Sequence, residues 1–245
     1  MNRFFISPEN IQGNFIHVPA DTASQIRRVL RLREGEHVCF LDNFGNIFEC
    51  EITYPDEQNV SAEIVEKRLS FGEPSCFLTL YVALTQREKF EWILQKCTEA
   101  GVCRFVPMVT ERTLIRSGKD VSGKKERWNK ILKEAAEQCG RGRIPELLEP
   151  VSFREAVLKA DANLKLFFWE NENQANLKTL IDPIRETLKS AAMLIGPEGG
   201  FSADEASLAQ DSGWAPCTLE KRIYRMETAA IAAPMLVLYE IEMRA

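Results

Sequence analysis

The sequence predicts an α/β protein: a mostly parallel sheet with helices on both faces in its C-terminal part, preceded by a small β-barrel-like module. Three observations predict it. Apolar strand-length runs alternate with helix-period segments from Cys76 onward, the pattern of a parallel sheet with helical crossovers. Residues before about 70 read instead as mostly strands with one helix. The strand Ala191–Ile195 runs directly into Gly196-Pro197-Glu198-Gly199-Gly200-Phe201-Ser202, a turn with little side chain over its backbone.

In the first module the expected strands are Asn14–Val18, His37–Asp42, Ile47–Thr53 and Val60–Glu66, with a turn at Asn43-Phe44-Gly45-Asn46. Asp21 is placed to cap a helix whose Ala23, Ile26, Val29 and Leu30 share a face, and Gly35 follows its end. Ser70–Ser75 reads as a linker, so the expected domains are 1–72 and 73–245. In the second, strands are expected at Phe77–Leu84, Arg104–Val109, Leu164–Trp169, Ala191–Ile195 and Pro216–Leu219. Phe90, Ile93, Leu94 and Cys97 recur at helical spacing within Arg87–Ala100, and Gly101 stops that helix. Trp128, Ile131, Leu132, Ala135 and Cys139 do the same within Lys124–Cys139. Ser152 and Glu155 cap a short helix, and Ser202 and Glu205 form a Ser-x-x-Glu capping box that opens another. Ligands of such folds sit beyond the carboxyl ends of the strands, where Gly196–Gly200 lies. No Gly-Lys-Ser/Thr follows those glycines, so they are not a phosphate-gripping P-loop.

Composition narrows the class. Of 245 residues, 45% are apolar and 27% charged, as in soluble globular proteins, and no run is long enough to span a bilayer. Met1-Asn2-Arg3-Phe4-Phe5 has no apolar signal core, which points to a cytoplasmic protein. Seven cysteines, an odd count without a Cys-x-x-Cys pair, read as reduced core thiols. With only His17 and His37 present, no metal site is expected. The net charge of −5 hides two basic clusters. Arg27, Arg28, Arg31 and Arg33 fall in a stretch without acids, and ten Lys/Arg lie between Arg112 and Arg143 against four acids. Such clusters serve either as an electrostatic footprint for RNA phosphates or as a solvated helix face.

Several blocks, in order, carry a resemblance. They are Gln25-x-x-Arg28-Val29-Leu30-Arg31, Lys89–Val102, Glu111-Arg112, Arg127-Trp128 leading to Glu134–Arg141, Leu194–Ser202 with Glu205, and Arg222–Ala229. Over essentially its whole length the chain resembles the RsmE family of ribosomal RNA (uracil-N3)-methyltransferases, in the SPOUT superfamily. The resemblance implies an N-terminal PUA-like RNA-binding barrel and a C-terminal methyltransferase domain with a trefoil knot. It further implies a homodimer that uses S-adenosyl-L-methionine to methylate N3 of a uridine in small-subunit (16S) ribosomal RNA, free or in the assembled subunit. Two positions depart from the family pattern: Glu220 stands where members usually have glycine, and Gln25 where they commonly have histidine.

On that resemblance the cofactor contacts fall on Leu194, Ile195, Gly196, Glu198, Gly199, Gly200, Leu219, Ile223 and Arg225, with Trp169 either an adenine wall or a core aromatic. Methylating uracil N3 requires loss of its proton, and negative charge then spreads onto O2 and O4. Arg225 is the candidate to stabilise that anion. Glu227 either orients Arg225 or accepts the proton, with Glu198 the alternative carboxylate. An Arg225–Glu227 charge pair that merely fixes a helix start is the competing reading. Gln25, Arg27, Arg28, Arg31 and Arg33 are the expected RNA contacts, and Arg141, with Glu137 and Gln138, the expected RNA side of the pocket, whereas Cys139 reads as the end of an apolar helical stripe. Thr228–Ala233 reads as a small-residue helix for dimer packing, kinked at Pro234. The alternatives are an RNA-binding or ribosome-assembly factor that kept the fold without catalysis, and a SPOUT enzyme acting on another RNA.

Overall fold

The computed structural model describes residues 1–56, 59–113, 123–170, 175–219 and 221–242. Glu220 and the part of the second basic stretch at 114–122 lie outside them. The chain forms two compact units, residues 1–73 with 133–144, and residues 74–132 with 145–245.

The first unit is a six-stranded sheet. Its strands are β1 (Arg3–Phe5), β2 (Ile11–Gln12), β3 (Phe15–His17), β4 (His37–Leu41), β5 (Asn46–Thr53) and β6 (Ser61–Leu69). They are ordered β1-β4-β5-β6-β3-β2, antiparallel except for the parallel β1–β4 pair. Alternation sends Phe4, Ile16, Val38, Phe40, Phe48, Cys50 and Ile52 into one core. The β4–β5 turn is held by Asp42, whose carboxylate accepts from Phe44 N–H and Asn46 N–H. Helix α1 (Ala20–Ser24) continues into wider π-helical turns over Gln25–Leu30. It starts at Ala20, so Asp21 sits within the first turn, and it stops at Arg31 in a left-handed conformation (φ 54°), before Gly35. The wider turns break the expected stripe: Ile26 is buried and Val29 is exposed.

The sequence places 133–144 with the C-terminal domain, but the structure packs this segment into the first unit. Ala136 joins Phe5, Cys39, Leu41 and Ile47 in a second apolar cluster. The Glu137 carboxylate accepts from Phe5 N–H at 2.9 Å, and Ser70 Oγ donates to Gly140 O at 3.0 Å.

The second unit is a parallel sheet. Its strands are β7 (Phe77–Ala83), β8 (Arg104–Val109), β9 (Glu146–Leu147), β10 (Val151–Ser152), β11 (Leu164–Phe168), β12 (Ser190–Ile195) and β13 (Ala215–Cys217). The order is β10-β8-β7-β12-β11-β13, with β9 also on β8. Ala191–Ile195 of the central β12 are all buried, so both faces of the sheet are covered there. The helices are α2 (Arg87–Glu99), α3 (Lys125–Cys139), α4 (Phe153–Lys159), α5 (Leu177–Ile181), α6 (Ala203–Asp211) and α7 (Met226–Glu242). Helix α7 packs on α2 and α5, and α4 packs on α6. The expected stripe of α2 is buried, and Phe90 meets Trp128 of α3 with ring centroids 4.6 Å apart.

Helix α7 runs on through Pro234. Proline has no N–H for the carbonyl of Ala230. The buried Cys97 thiol of α2 supplies a replacement, donating to Ala230 O at 3.2 Å. Burial raises the Cys97 thiol far above its ordinary pKa, and pushes the Cys50 and Cys76 thiols up to about 12. Five cysteines (39, 50, 76, 97 and 217) are buried, while Cys103 and Cys139 are partly exposed.

Candidate active site

Parallel strands carry all their carboxyl ends to one edge, and the second unit opens a cavity of about 640 Å³ there. That volume lies within the roughly 300–1,000 Å³ of small-molecule sites. The ends of β11 (Phe168, Trp169), β12 (Ile195, Gly196) and β13 (Cys217, Thr218) line it, together with the loop Pro197–Phe201 and the segment Lys221–Glu227.

The glycine loop is shaped by its neighbours. A Cβ on Gly196 would lie 2.9 Å from the Phe201 ring, which is itself buried between Phe153 and Phe167. Any side chain at 196 would therefore displace a core aromatic. Pro197–Gly200 form a turn closed by Gly200 N–H donating to Pro197 O at 2.9 Å, with Gly200 at φ +68°, a conformation open to glycine. Helix α6 begins immediately after, with the expected capping box of Ser202 and Glu205. Glu205 does a second job: its other carboxylate oxygen accepts from Glu111 N–H at 2.8 Å. Arg112 then donates to Gly199 O at 2.8 Å, so the loop after β8 holds the loop after β12.

Of the predicted cofactor residues, Ile195, Gly196, Glu198, Gly199, Gly200, Leu219, Ile223 and Arg225 line the cavity. Leu194 does not; it lies one residue back in β12, fully buried in the sheet. Trp169 lines the cavity and stacks on Phe167. Its indole Nε1 is buried with no hydrogen-bond partner among the described residues.

The charged groups divide by their contacts. Glu198 Oε1 accepts from Thr85 Oγ1 at 2.6 Å and from Lys89 Nζ at 2.9 Å. Burial alone would raise the Glu198 carboxyl, but these hydrogen bonds outweigh it and hold the group below the ordinary carboxylate range. Glu227 stands in the first turn of α7, its Oε2 3.9 Å from Lys89 Nζ. That oxygen is buried and accepts no hydrogen bond among the described residues. Arg225 is exposed, and no ion pair joins it to Glu227. The charge pair at the helix start is therefore absent. Thr85 and Lys89 are the residues that sequence reading missed. The signal was available: β7 is a parallel strand, so its carboxyl end and the first turn of α2 reach the same edge.

A lowered Glu198 pKa fixes a sign. The stabilisation is present above the carboxyl's unfolded pKa and is lost as pH falls through the depressed folded value. The melting temperature of Glu198→Gln should therefore lie below that of the parent at neutral pH. Differential scanning calorimetry at successively lower pH should show the gap closing through the acid carboxylate range.

The expected RNA residues separate in the first unit. Gln25, Arg28, Arg31 and Arg33 are exposed. Arg27 is committed to the fold: its guanidinium donates to Asp56 O at 2.7 Å and lies 4.2 Å over the Tyr54 ring. Arg141 corrects the reading more strongly. It is 2% exposed, it pairs with Glu73 (Nη2–Oε2 3.0 Å), and it is not part of the cavity wall. A buried guanidinium held by Glu73 has the contacts of a structural anchor, and little of it is open to RNA.

An α/β unit with a small-molecule cavity at its strand ends, in one chain with a small β unit, is the frame of a two-domain enzyme. Residues 72–238 match the model of an RNA methyltransferase domain, and residues 26–65 match that of an RNA methyltransferase PUA domain. The chain belongs to this RNA methyltransferase family. A ribosomal RNA small subunit methyltransferase E from Synechocystis is 32% identical, covering 98% of this chain and 76% of its own length. Its counterpart from Bacillus subtilis is 28% identical over 99% of this chain and 98% of its own length. Among solved structures, a ribosomal RNA small subunit methyltransferase E from Neisseria gonorrhoeae, bound to S-adenosyl methionine, superposes with a TM-score of 0.83 at 30% identity, covering 96% of each chain.

Proposed function

We propose that the chain transfers the methyl group of S-adenosylmethionine to N3 of a uridine in small-subunit (16S) ribosomal RNA. One observation carries this reading. The cavity beside the glycine loop is lined by a cation that makes no ion pair among the described residues, Arg225, and by a carboxylate, Glu227, whose buried Oε2 accepts no hydrogen bond among them and faces the Lys89 ammonium at 3.9 Å. The cavity also suits the cofactor. Its volume is adequate, Ile195, Phe168 and Trp169 give an apolar wall, and the Trp169 Nε1–H is a buried donor without an acceptor among the described residues. When bound, S-adenosylmethionine supplies an electrophilic methyl group whose leaving group is already activated.

The protein's own tasks are then three. The Gly196–Gly200 backbone and the Trp169 wall hold the cofactor so that the acceptor nitrogen is in line. Arg225 stabilises the charge that grows on the uracil oxygens. Glu227 takes the N3 proton, because the hydrogen bonds that Glu198 accepts from Thr85 and Lys89 lower that carboxylate's affinity for a proton. Gln25, Arg28, Arg31 and Arg33 bind RNA phosphates. The reading includes a cytoplasmic homodimer, supported by Trp92 of α2 and Met235, Leu236 and Tyr239 of α7, large apolar residues exposed on two helices that pack together. It also includes threading of the segment after β13 as a trefoil knot, supported by the convergence of Ile195–Phe201 and Cys217–Arg225 on one cavity.

Calorimetric titration with S-adenosylmethionine, followed by tritiated methyl transfer to small-subunit RNA and mapping of the modified base, tests the reading. Binding and an N3-methyluridine product are expected. Glu227→Gln should leave cofactor affinity near the parent value and lower kcat by about a hundredfold or more. Absence of cofactor binding, with or without RNA, would overturn the enzymatic reading.

A further inference from the structure

We infer that the first unit carries a second RNA-binding surface, a nucleobase-stacking platform formed by Phe44 and Phe71 with Arg68 and Arg143; this rests on the RNA-methyltransferase reading. Phe44 is 66% exposed and Phe71 is 87% exposed, although each lies beside a tightly held piece of backbone. Ser70 N–H donates to Gly45 O at 2.8 Å, and Gly45 N–H donates to Gly142 O at 3.2 Å. Phe44 precedes Gly45 and Phe71 follows Ser70, so the two residues flank one backbone hydrogen bond. Asp42 holds the Phe44 N–H from beneath.

A cation lies beside each residue, over the ring of Phe71 and on the backbone carbonyl of Phe44. The Arg68 guanidinium lies 5.5 Å from the Phe71 ring centroid, and Arg143 Nη2 donates to Phe44 O at 3.1 Å while remaining exposed. Glu73, the acid beside them, is consumed by the Arg141 guanidinium and the Arg143 N–H. Exposed aromatics interleaved with arginines suit unpaired RNA: the rings stack bases regardless of sequence, and the cations meet phosphates. An apolar protein partner would leave both guanidinium groups facing an uncharged surface, so RNA is the better match. The platform is separate from Arg28, Arg31 and Arg33. Arg33 precedes β4 and Phe44 follows it, so they belong to opposite ends of a five-residue strand about 17 Å long.

The test uses the full chain and a short single-stranded RNA carrying 2-aminopurine, whose fluorescence falls when it stacks. Quenching on binding is expected in the parent. Phe44→Ala and Phe71→Ala should each weaken binding by about tenfold and reduce the quenching, with an unchanged salt slope. Phe44→Trp and Phe71→Trp should keep both. Arg68→Gln and Arg143→Gln should each flatten the salt slope by about 0.7. Cofactor titration of the alanine double variant should match the parent, since neither ring lines the cavity. RNA affinity and quenching unaltered in that double variant would overturn the platform alone. A parent chain that binds cofactor but no RNA would overturn the RNA reading and the platform with it.

Discussion

Arg225→Ala should lower kcat by about 100- to 1,000-fold while leaving the melting temperature where it was. The magnitude is that of removing one donor aimed at a developing oxyanion. The unchanged stability follows from the structure: the Arg225 side chain is exposed and makes no ion pair among the described residues, so nothing in the fold loses a partner. Single-turnover methyl transfer at saturating cofactor, beside a thermal melt, checks both halves. Near-normal turnover would remove Arg225 from the chemistry and leave it a cavity wall. Lys89 is the natural comparison, because its ammonium group is already engaged by Glu198 and lies near Glu227. Lys89→Met should disturb both carboxylates and shift the pH profile, whereas Arg225→Ala should lower the whole profile without moving it.

Arg141→Met should destabilise the protein by about 3 kcal/mol, the lower end for breaking a buried pair by removing one partner. The lower end applies because the Glu73 side chain keeps 23% of its exposure while that of Arg141 keeps 3%. Urea denaturation measures the loss, and the salt slope of RNA binding should stay put. A fully stable variant with a flattened salt slope would restore Arg141 as an RNA contact.

The elements that were legible in the sequence are those whose burial leaves a local period. β7, β8, β11 and β12, α2, and the capped starts of α4 and α6 lie where apolar runs, helical spacing and Ser-x-x-Glu motifs put them. What escaped depends on partners remote in the chain. β1 is three residues, Arg3–Phe5, and exists because it pairs in parallel with β4. β9 and β10 are two residues each, divided by Leu148-Glu149-Pro150, and take their form from the edge of β8. The second half of α3 has the same helical period as its first half, and no pattern within it marks a change of unit. The site follows the same rule. The glycine loop and Arg225–Glu227 are local signals, whereas the Thr85–Lys89–Glu198 contacts join positions more than a hundred residues apart. Arg141 was misjudged because its sequence neighbours are basic, and only the fold reveals Glu73 beneath it.

The buried cysteines give the molecule an internal clock. Cys39 and Cys50 sit in the first unit, and Cys76, Cys97 and Cys217 in the second. A thiol that burial keeps protonated is nearly inert to an alkylating reagent until its surroundings open. Pulse alkylation followed by peptide mass mapping therefore times the opening of each unit separately, in the unmutated chain and without an added label. Cys97 should be the slowest to react, because freeing it requires α2 and α7 to part at the carbonyl that Pro234 left behind.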